Sequence, residues 1–274
     1  MSIFNISQRL PTEAEIQSYA AHRAAGYKGV FVHVPKCAGS SINYWIKNNA
    51  PQSILSPDEG VLRDLIYKTL NMRPVYGFEL SMAEAVQQIV GTSEYARLYS
   101  FAIVRNPWDR YVSNWKFLTR KNTNKTDMWK EFGLNGSEGN VSFESFVQQT
   151  ENLHKENRTF HANLSLGSPS GYDPIRWHIA DQTKHLLDSS GNLLVDFVGR
   201  FETLQSDFEK ICKQLGVATV TLETLKQSAD SDVHYSTYYT PTLYKTIKKR
   251  CKADIDYFKY EFDDQAGILP KKKK

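Results

Sequence analysis

Short runs of apolar residues alternate with helical patterns along most of this chain. Residues 29–34 and 98–104 are rich in branched and aromatic residues, as strands buried on both faces are, and residues 193–198 are predicted as a third strand. Apolar residues three and four positions apart predict helices between and after these strands. The predicted helices cover residues 13–25, 41–49, 61–70, 81–90, 142–149, 178–187 and 204–215, and two more begin at Pro107 and Pro241. This alternation predicts an α/β fold with a mainly parallel sheet flanked by helices.

Two polar stretches interrupt the alternation. Residues 121–140 are rich in Gly and Asn, and residues 160–175 contain Gly167, Pro169, Gly171 and Pro174. Both are predicted as exposed excursions, and a long loop inside a compact domain is often functional. The chain shows no internal repeat, so we predict one domain over residues 1–274 with a solvated basic tail at 271–274.

Composition and charge exclude several classes of partner. Hydrophobic residues make up 41% of the 274 residues and charged residues 23%, which is ordinary for a globular protein. The net charge of +4 comes without a basic stripe interleaved with aromatic residues, so nucleic-acid binding is not predicted. No apolar run reaches the roughly 18 residues of a membrane span, and the N-terminus lacks the pattern of a secretory signal. The three cysteines are widely spaced, which suits a reducing compartment and gives no metal-ligand spacing. These features predict a cytoplasmic protein; its oligomeric state is not encoded in any motif.

The stretch "GVFVHVPKCAGSS" at residues 29–41 carries the first candidate chemistry. An apolar strand ends in Lys36 and small residues and leads into a helix, whose first N–H groups and dipole favour an anion. Gly39 lets the backbone approach a ligand, and Ser40 and Ser41 add hydroxyl groups. The lysine precedes the glycine, whereas in nucleoside-triphosphatase loops it follows. A tight β–α turn with a surface lysine is the structural alternative, and His33 is predicted as a core residue.

The stretch "FAIVRNPWDRYVSNW" at residues 101–115 carries the second set of residues with candidate chemistry. Arg105 stands at the end of a buried strand, and Ser113 follows eight residues later on a predicted helix. Arginine is always charged and binds oxyanions through two parallel hydrogen bonds, so this pair suits a phosphate. The alternative is that Arg105 forms a structural ion pair with Asp109.

Together the two stretches resemble the sulfotransferases that use 3′-phosphoadenosine-5′-phosphosulfate (PAPS), in particular the carbohydrate group with the heparan-sulfate 2-O-sulfotransferases and their bacterial relatives. Residues 196–216 and 234–262 are similar to later segments of that group, so the resemblance spans about 29–262. It implies a P-loop-kinase-like sulfotransferase fold. Cys37 and Ala38 depart from the Thr-Gly often found in that group. The residues that the resemblance assigns to PAPS are Lys36, Ala38, Gly39, Ser40 and Ser41 at the 5′-phosphosulfate and Arg105 and Ser113 at the 3′-phosphate.

The resemblance also implies an activity, the transfer of a sulfuryl group to a hydroxyl of a small molecule or glycan without a metal. Lys36 would stabilise the bridging oxygen of the leaving group. Glu79 stands where the group often has a histidine base, and His178 and His185 are the next candidates. Tyr235 would contact the adenine, although core packing explains it equally well.

Two other functions remain open at the level of sequence. A P-loop nucleotide kinase would need a Lys-Ser/Thr pair on magnesium and an acidic partner at a strand end, and neither stands at the right spacing. A catalytically idle nucleotide-binding module on the same fold would explain the missing family histidine. The intact Lys36, Ser41, Arg105 and Ser113 argue against it.

Overall fold

The structure is a computed structural model that describes residues 12, 14, 26–56, 81–119, 141–159, 178–219, 221–222 and 233–270, without the side chains of 152–159. All structural statements below concern these residues. Several predictions lie outside them: the helix at 61–70, nearly all of the helix at 13–25, the excursions at 121–140 and 160–175, and the basic tail.

The described residues fall into two compact units. Unit 1 is formed by described residues of Met1–Val104 and Gln182–Leu225, and unit 2 by those of Arg105–Ser168, Asp173–Asp181 and Lys226–Lys274. This division does not test independent folding, so the single domain stays a prediction.

A parallel sheet forms the centre of unit 1. Its strands are β1 (Gly29–Phe31), β2 (Ile54–Leu55), β3 (Tyr99–Val104) and β4 (Phe197–Arg200), in the order β2-β1-β3-β4 with every neighbouring pair parallel. Phe31 lies opposite Phe101, and their rings stack at 5.3 Å between centroids. The predicted α/β fold with a parallel sheet is therefore confirmed.

Helices connect and flank these strands. In chain order they are α1 (Gly39–Asn49), α2 (Met82–Val90), α3 (Thr92–Tyr95), α4 (Pro107–Thr119), α5 (Phe143–Thr159), α6 (Thr183–Leu186), α7 (Leu204–Leu215), α8 (Pro241–Arg250) and α9 (Lys252–Phe258), with 3₁₀ turns at Phe201–Thr203 and Tyr235–Tyr238. In unit 1, α1 and α7 meet where Trp45 contacts Phe208 edge to face at 4.8 Å.

Local signals fix several helix ends. Ser81 and Glu84 form a capping box at the start of α2, and Thr240 caps α8 by accepting from Leu243 N at 3.2 Å. α7 ends at Gly216, which has φ 63° and thus a left-handed conformation that glycine adopts without strain. These ends agree with the sequence predictions.

Other boundaries differ from prediction. The third strand begins at Phe197 instead of 193, because Leu193 forms an antiparallel bridge with Leu187 and Leu194 N donates to Leu186 O at 3.0 Å. The last helix is two helices, α8 and α9, that meet at Cys251. Of the helix predicted over 178–187, the structure forms the short α6 at Thr183–Leu186. The helix predicted over 142–149 is longer than predicted and continues to residue 159. The two-residue β2 and the one-turn α3 were not predicted because they are too short to show a period.

Unit 2 has its own apolar core. Aromatic residues from α4, α5 and the segment before α8 meet there, and Trp108 stacks on Tyr244 at 5.7 Å and contacts Phe262 edge to face. Its buried members are Trp108, Tyr111, Val112, Leu118, Val141, Phe143, Phe146, Val147, Ile179, Tyr235, Tyr239, Leu243, Ile247 and Cys251. This core fixes the position of α4, which carries Ser113.

Candidate active site

The segment between β1 and α1 is a tight loop with two residues in the left-handed region. Lys36 has φ 68° and Ala38 has φ 63°, a conformation that costs a residue with a Cβ roughly 1–2 kcal/mol. Cys37 N donates to Val34 O at 3.3 Å and Ser41 N donates to Ala38 O at 3.0 Å, which closes the loop. Strained backbone of this kind concentrates at ligand-binding sites.

The start of α1 has the polarity of an anion site. Ala38 provides no side-chain cap, and no acidic residue lies in the first turn, which begins at Gly39. The first N–H groups of a helix have no partner within it, and the dipole favours negative charge there. Lys36 is partly exposed and Ser40 is exposed, whereas Ser41 is only 7% exposed. Lys36 and Ser40 are therefore the accessible side-chain donors of this loop.

Cys37 attaches the loop to the interior of unit 1. Its Sγ donates to Gln182 Oε1 at 3.2 Å and lies 3.6 Å from Pro35 O. The residue is buried. At a position where the resembling group often has threonine, the cysteine therefore makes a side-chain contact of its own with Gln182.

Gly39 has a neighbour that the sequence did not indicate. A Cβ atom on residue 39 would overlap with the imidazole of His33, at 2.6 Å from Cε1 and closer still to Nε2 and Cδ2. The His33 ring also stacks on Phe31 at 5.8 Å. His33 is partly exposed beside the loop, so its prediction as a core residue is wrong.

Arg105 forms a bidentate ion pair with Asp109. Nε donates to Oδ2 at 2.7 Å and Nη2 donates to Oδ1 at 2.9 Å, and both side chains are largely buried. This is the structural alternative that the sequence left open. The pair uses two of the five N–H donors of a guanidinium and fixes its plane, so it does not exclude an oxyanion partner. Ser113 lies two turns later on α4 and is partly exposed.

His178 is held by α4. Its carbonyl oxygen accepts from Arg110 Nη2 at 2.9 Å and from Asn114 Nδ2 at 2.8 Å, and its ring stacks on Phe117 at 5.1 Å. The residue is partly exposed, whereas His185 is fully buried. Of the two histidines, only His178 has a side chain that a substrate in solution can reach.

Tyr235 is 8% exposed and its hydroxyl is engaged within unit 2. It accepts from Asp263 N at 2.6 Å and from Asn106 Nδ2 at 3.4 Å, and its ring meets Phe262 edge to face. These contacts are those of a packed core residue, and a contact with adenine stays a prediction. Glu79 lies outside the described residues, and its role as a base stays a prediction too.

The predicted residues divide between the units. The loop from Lys36 to Ser41 belongs to unit 1, and Arg105, Ser113, His178 and Tyr235 belong to unit 2. In unit 2, Arg105 and Ser113 lie just before and on α4, and His178 and Tyr235 come from later segments of the chain.

The profile of the sulfotransferase family matches residues 23–261 of this chain, which includes both motifs and every predicted site residue. The chain belongs to the sulfotransferase family. A comparison with the curated proteins finds no significant match. The parallel α/β sheet agrees with the fold expected for a sulfotransferase.

Within the described part of the chain, no group of three or more His, Cys, Asp or Glu side chains is arranged to hold a metal ion. None of the helices in that same part is both long and apolar enough to cross a membrane.

Sequence reasoning missed the residues that surround His178 in this sulfotransferase. Arg110, Asn114 and Phe117 were not singled out, since attention went to the apolar positions of α4. A signal was present: the three stand at i, i+4 and i+7, so a polar and aromatic row runs along one face of the helix. What this row contacts could not be read from the sequence, because His178 lies 64 residues beyond Asn114.

Proposed function

We propose that this member of the sulfotransferase family transfers the sulfuryl group of PAPS to a hydroxyl group of a carbohydrate. The observation that carries the proposal is the strained loop at Lys36 and Ala38, which opens directly into α1 inside the range matched by the family profile. A loop that stores strain at an uncapped helix N-terminus, with a lysine beside it, has the chemistry to bind an oxyanion.

The loop would bind the 5′-phosphosulfate. The N–H groups of Gly39 and Ser40, the Ser40 hydroxyl and the Lys36 ammonium supply donors, and no acidic residue in the first turn of α1 opposes them. Ala38, with no bulky side chain, leaves the backbone approachable. These features support the assignment that the family resemblance implies.

Arg105 and Ser113 would bind the 3′-phosphate. The Asp109 carboxylate holds the guanidinium of Arg105 in one plane, so less side-chain freedom is lost when it binds a phosphate. Ser113 offers a hydroxyl on the accessible side of α4. The expected phosphate contacts are charge-assisted, which makes them strong.

The chemistry is an in-line displacement at sulfur. The acceptor oxygen forms a bond to sulfur, the bond from sulfur to the bridging oxygen breaks, and adenosine 3′,5′-bisphosphate leaves with the electron pair. Lys36 would stabilise the charge that develops on the bridging oxygen, and the acceptor proton would go to a side-chain base. The candidate bases are Glu79, from the resemblance, and His178, which is partly exposed whereas His185 is buried.

Two measurements test the proposal. Calorimetry should detect binding of adenosine 3′,5′-bisphosphate to the protein at concentrations where ATP with Mg²⁺ gives no heat of binding. After incubation with isotopically labelled PAPS and a panel of mono- and oligosaccharides, the mass of one acceptor should increase by that of a labelled sulfuryl group. Preference for ATP–Mg²⁺ would point to a kinase. Binding of the bisphosphate without transfer to any acceptor, or loss of label to water alone, would leave only a nucleotide-binding module.

A control separates the loop from general basicity. Lys47, in the last turn of the same helix, is exposed and is the matched lysine for Lys36. Lys47→Ala should transfer the label at the wild-type rate, and Lys36→Ala should not.

A further inference from the structure

Three stacked rings connect the centre of the sheet to the loop between β1 and α1. The ring of Phe101 on β3 stacks on the ring of Phe31 on β1 at 5.3 Å, and the Phe31 ring stacks on the imidazole of His33 at 5.8 Å. Phe31 and His33 are two positions apart, so their side chains lie on the same face of the strand. All three residues belong to unit 1, and we call them the ring column.

The inner end of the ring column is fixed by the sheet. Phe31 and Phe101 are fully buried. Val32 N donates to Phe101 O at 2.8 Å, so the backbone of this strand stays paired with β3 up to the residue before His33. Stacked rings of this kind attract each other beyond the effect of burial. The His33 ring therefore rests on a support that cannot move without disturbing the sheet.

The outer end of the ring column contacts the first residue of α1. A Cβ atom on Gly39 would overlap with three atoms of the imidazole, Nε2, Cδ2 and Cε1, the last at 2.6 Å. A Cβ atom is one bond away from its Cα, so these ring atoms lie directly against the backbone of Gly39. The contact joins the sheet to the residue at which α1 begins.

The loop needs such a contact because its backbone is strained. Lys36 and Ala38 have φ angles of 68° and 63°, and residues in this region keep the conformation only when their surroundings fix it. Cys37, between them, is held by the hydrogen bond from Sγ to Gln182 Oε1 at 3.2 Å. Gly39 follows directly after Ala38, so its contact with the imidazole fixes the end of the strained segment.

We propose that His33 is the positioning residue of this loop, and that its imidazole fixes where α1 begins and thereby places the N–H groups and the lysine that bind the 5′-phosphosulfate. The inference rests on the proposed function for the identity of the ligand and adds a residue to its binding site. His33 acts through Gly39 and takes no part in the transfer itself. The role concerns the 5′ group alone, because the 3′-phosphate is assigned to Arg105 and Ser113.

The first test compares two nucleotides that differ only in the 5′ group. His33→Asn keeps a polar side chain but removes Nε2 and Cε1, which contact Gly39. It should weaken binding of adenosine 3′,5′-bisphosphate by about 10-fold or more, as the loss of one hydrogen bond to a charged group does. Binding of adenosine 3′-phosphate should stay within about 2-fold of the wild type, since separate sites act independently. Calorimetry measures both affinities, and equal weakening of the two nucleotides, or of neither, would contradict the positioning role.

A residue at the other end of the same strand provides the matched control. Tyr27 stands two residues before β1, as His33 stands two residues after it, and both are partly exposed. Tyr27→Ala removes a ring at the end of β1 that does not lead into the loop. It should bind both nucleotides as the wild type does.

The second test uses the overlap between the two side chains. Gly39→Ala should also weaken binding of adenosine 3′,5′-bisphosphate, because the added methyl group displaces α1 from the imidazole. Adding His33→Ala to this variant should raise the affinity, although the same change lowers it in the wild type. If His33→Ala lowers the affinity in both backgrounds, the imidazole does not set the position of Gly39.

A readout without nucleotide separates this inference from the proposed function. The Gly39 amide signal is the glycine signal that disappears in Gly39→Ala, and its ¹⁵N order parameter should fall from the value of rigid backbone, about 0.85, to below about 0.6 in His33→Asn. It should not change in Tyr27→Ala. An order parameter that stays high in His33→Asn would overturn the inference.

The two proposals can fail independently. If the wild type binds neither nucleotide but the order parameter of Gly39 falls in His33→Asn, the proposed function is wrong while the positioning of the loop stands. If the wild type transfers the sulfuryl group and His33→Asn matches it in affinity and turnover, only the inference fails.

Discussion

The imidazole of His33 occupies the space that a Cβ atom on residue 39 would need. The glycine at the start of α1 is thus required by a neighbour in unit 1, whether or not a ligand approaches it. The His33 ring in turn stacks on the Phe31 ring. The geometry of the loop therefore depends on a side chain that precedes it.

This relationship predicts a compensating pair of substitutions. Gly39→Ala should destabilise the protein by about 1–3 kcal/mol, because the added methyl group forces the packed imidazole of His33 to move. His33→Ala removes the obstacle, so the double variant should be more stable than the sum of the two single changes implies. Urea denaturation of the four proteins measures the coupling. Strict additivity would mean that the loop yields without displacing His33.

Arg105→Ala is predicted to affect one phosphate only. The substitution should weaken binding of adenosine 3′,5′-bisphosphate far more than binding of adenosine 5′-phosphate. The expected loss of binding free energy is about 2–5 kcal/mol, as for a charge-assisted contact to a buried oxyanion. Calorimetry with both nucleotides measures this difference. Arg97→Ala removes an exposed arginine that pairs with Glu94 and is the control for overall charge. Equal weakening of both nucleotides would assign Arg105 to its ion pair with Asp109 alone.

Lys36→Ala is predicted to affect the transition state more than the ground state. Its charge matters most as the bridging oxygen becomes negative, so turnover should fall by a much larger factor than affinity for adenosine 3′,5′-bisphosphate. Single-turnover kinetics measures the loss of turnover, and calorimetry measures the loss of affinity. If the two losses are equal, Lys36 contributes to nucleotide binding and not to the chemical step. Lys47→Ala should change neither factor.

Asp207 is predicted to make stability depend on pH. Its Oδ2 accepts from Arg200 N at 2.9 Å and from Thr203 Oγ1 at 2.7 Å. Burial opposes the charge, but the hydrogen bonds from Lys210, Thr203 and Arg200 outweigh it and lower the pKa of this carboxyl. A group with a lowered folded pKa stabilises the fold above its unfolded pKa, about 3.9 for aspartate, and this contribution is lost as the pH falls through the folded value.

Asp207→Asn should therefore lower the free energy of unfolding at pH 7 by about 1.5–3 kcal/mol, the contribution of hydrogen bonds to a charged group. The gap to the wild type should close as the pH drops below 4. The ion pair with Lys210 adds little, since that side chain is largely exposed. Denaturation curves at several pH values provide the measurement, and a gap that is independent of pH would exclude the charge as its cause.

The sequence was most informative where the signal is local. The alternation of apolar runs predicted β1 and β3, and the helix starts predicted at residue 81 and at Pro241 agree with α2 and α8. The loop from Lys36 to Ser41 was located by the apolar strand before it, by its lysine and small residues and by the helical pattern after it. Each of these features depends on neighbours within a few positions, which a single sequence contains.

What the sequence could not supply depends on distant partners. β4 pairs with β3 across 96 residues, and the Asp196 carboxylate accepts from Ser100 N over the same separation. The hydrogen bonds from Asn114 and Arg110 to the His178 carbonyl join positions 64 and 68 residues apart. Local periodicity carries no information about such pairs, so Arg110 and Asn114 looked like ordinary polar positions of a helix.

The order β2-β1-β3-β4 also governs when the chain can fold as it leaves the ribosome. β1 pairs with β3 across about 70 residues, and β3 acquires its other neighbour only when residue 197 has emerged. Until then the apolar strand at Phe101 has an unpaired edge, and long-range parallel pairing is slow to form. Nascent chains halted before β4 should therefore recruit chaperones, and release of the segment through Arg200 should end that dependence.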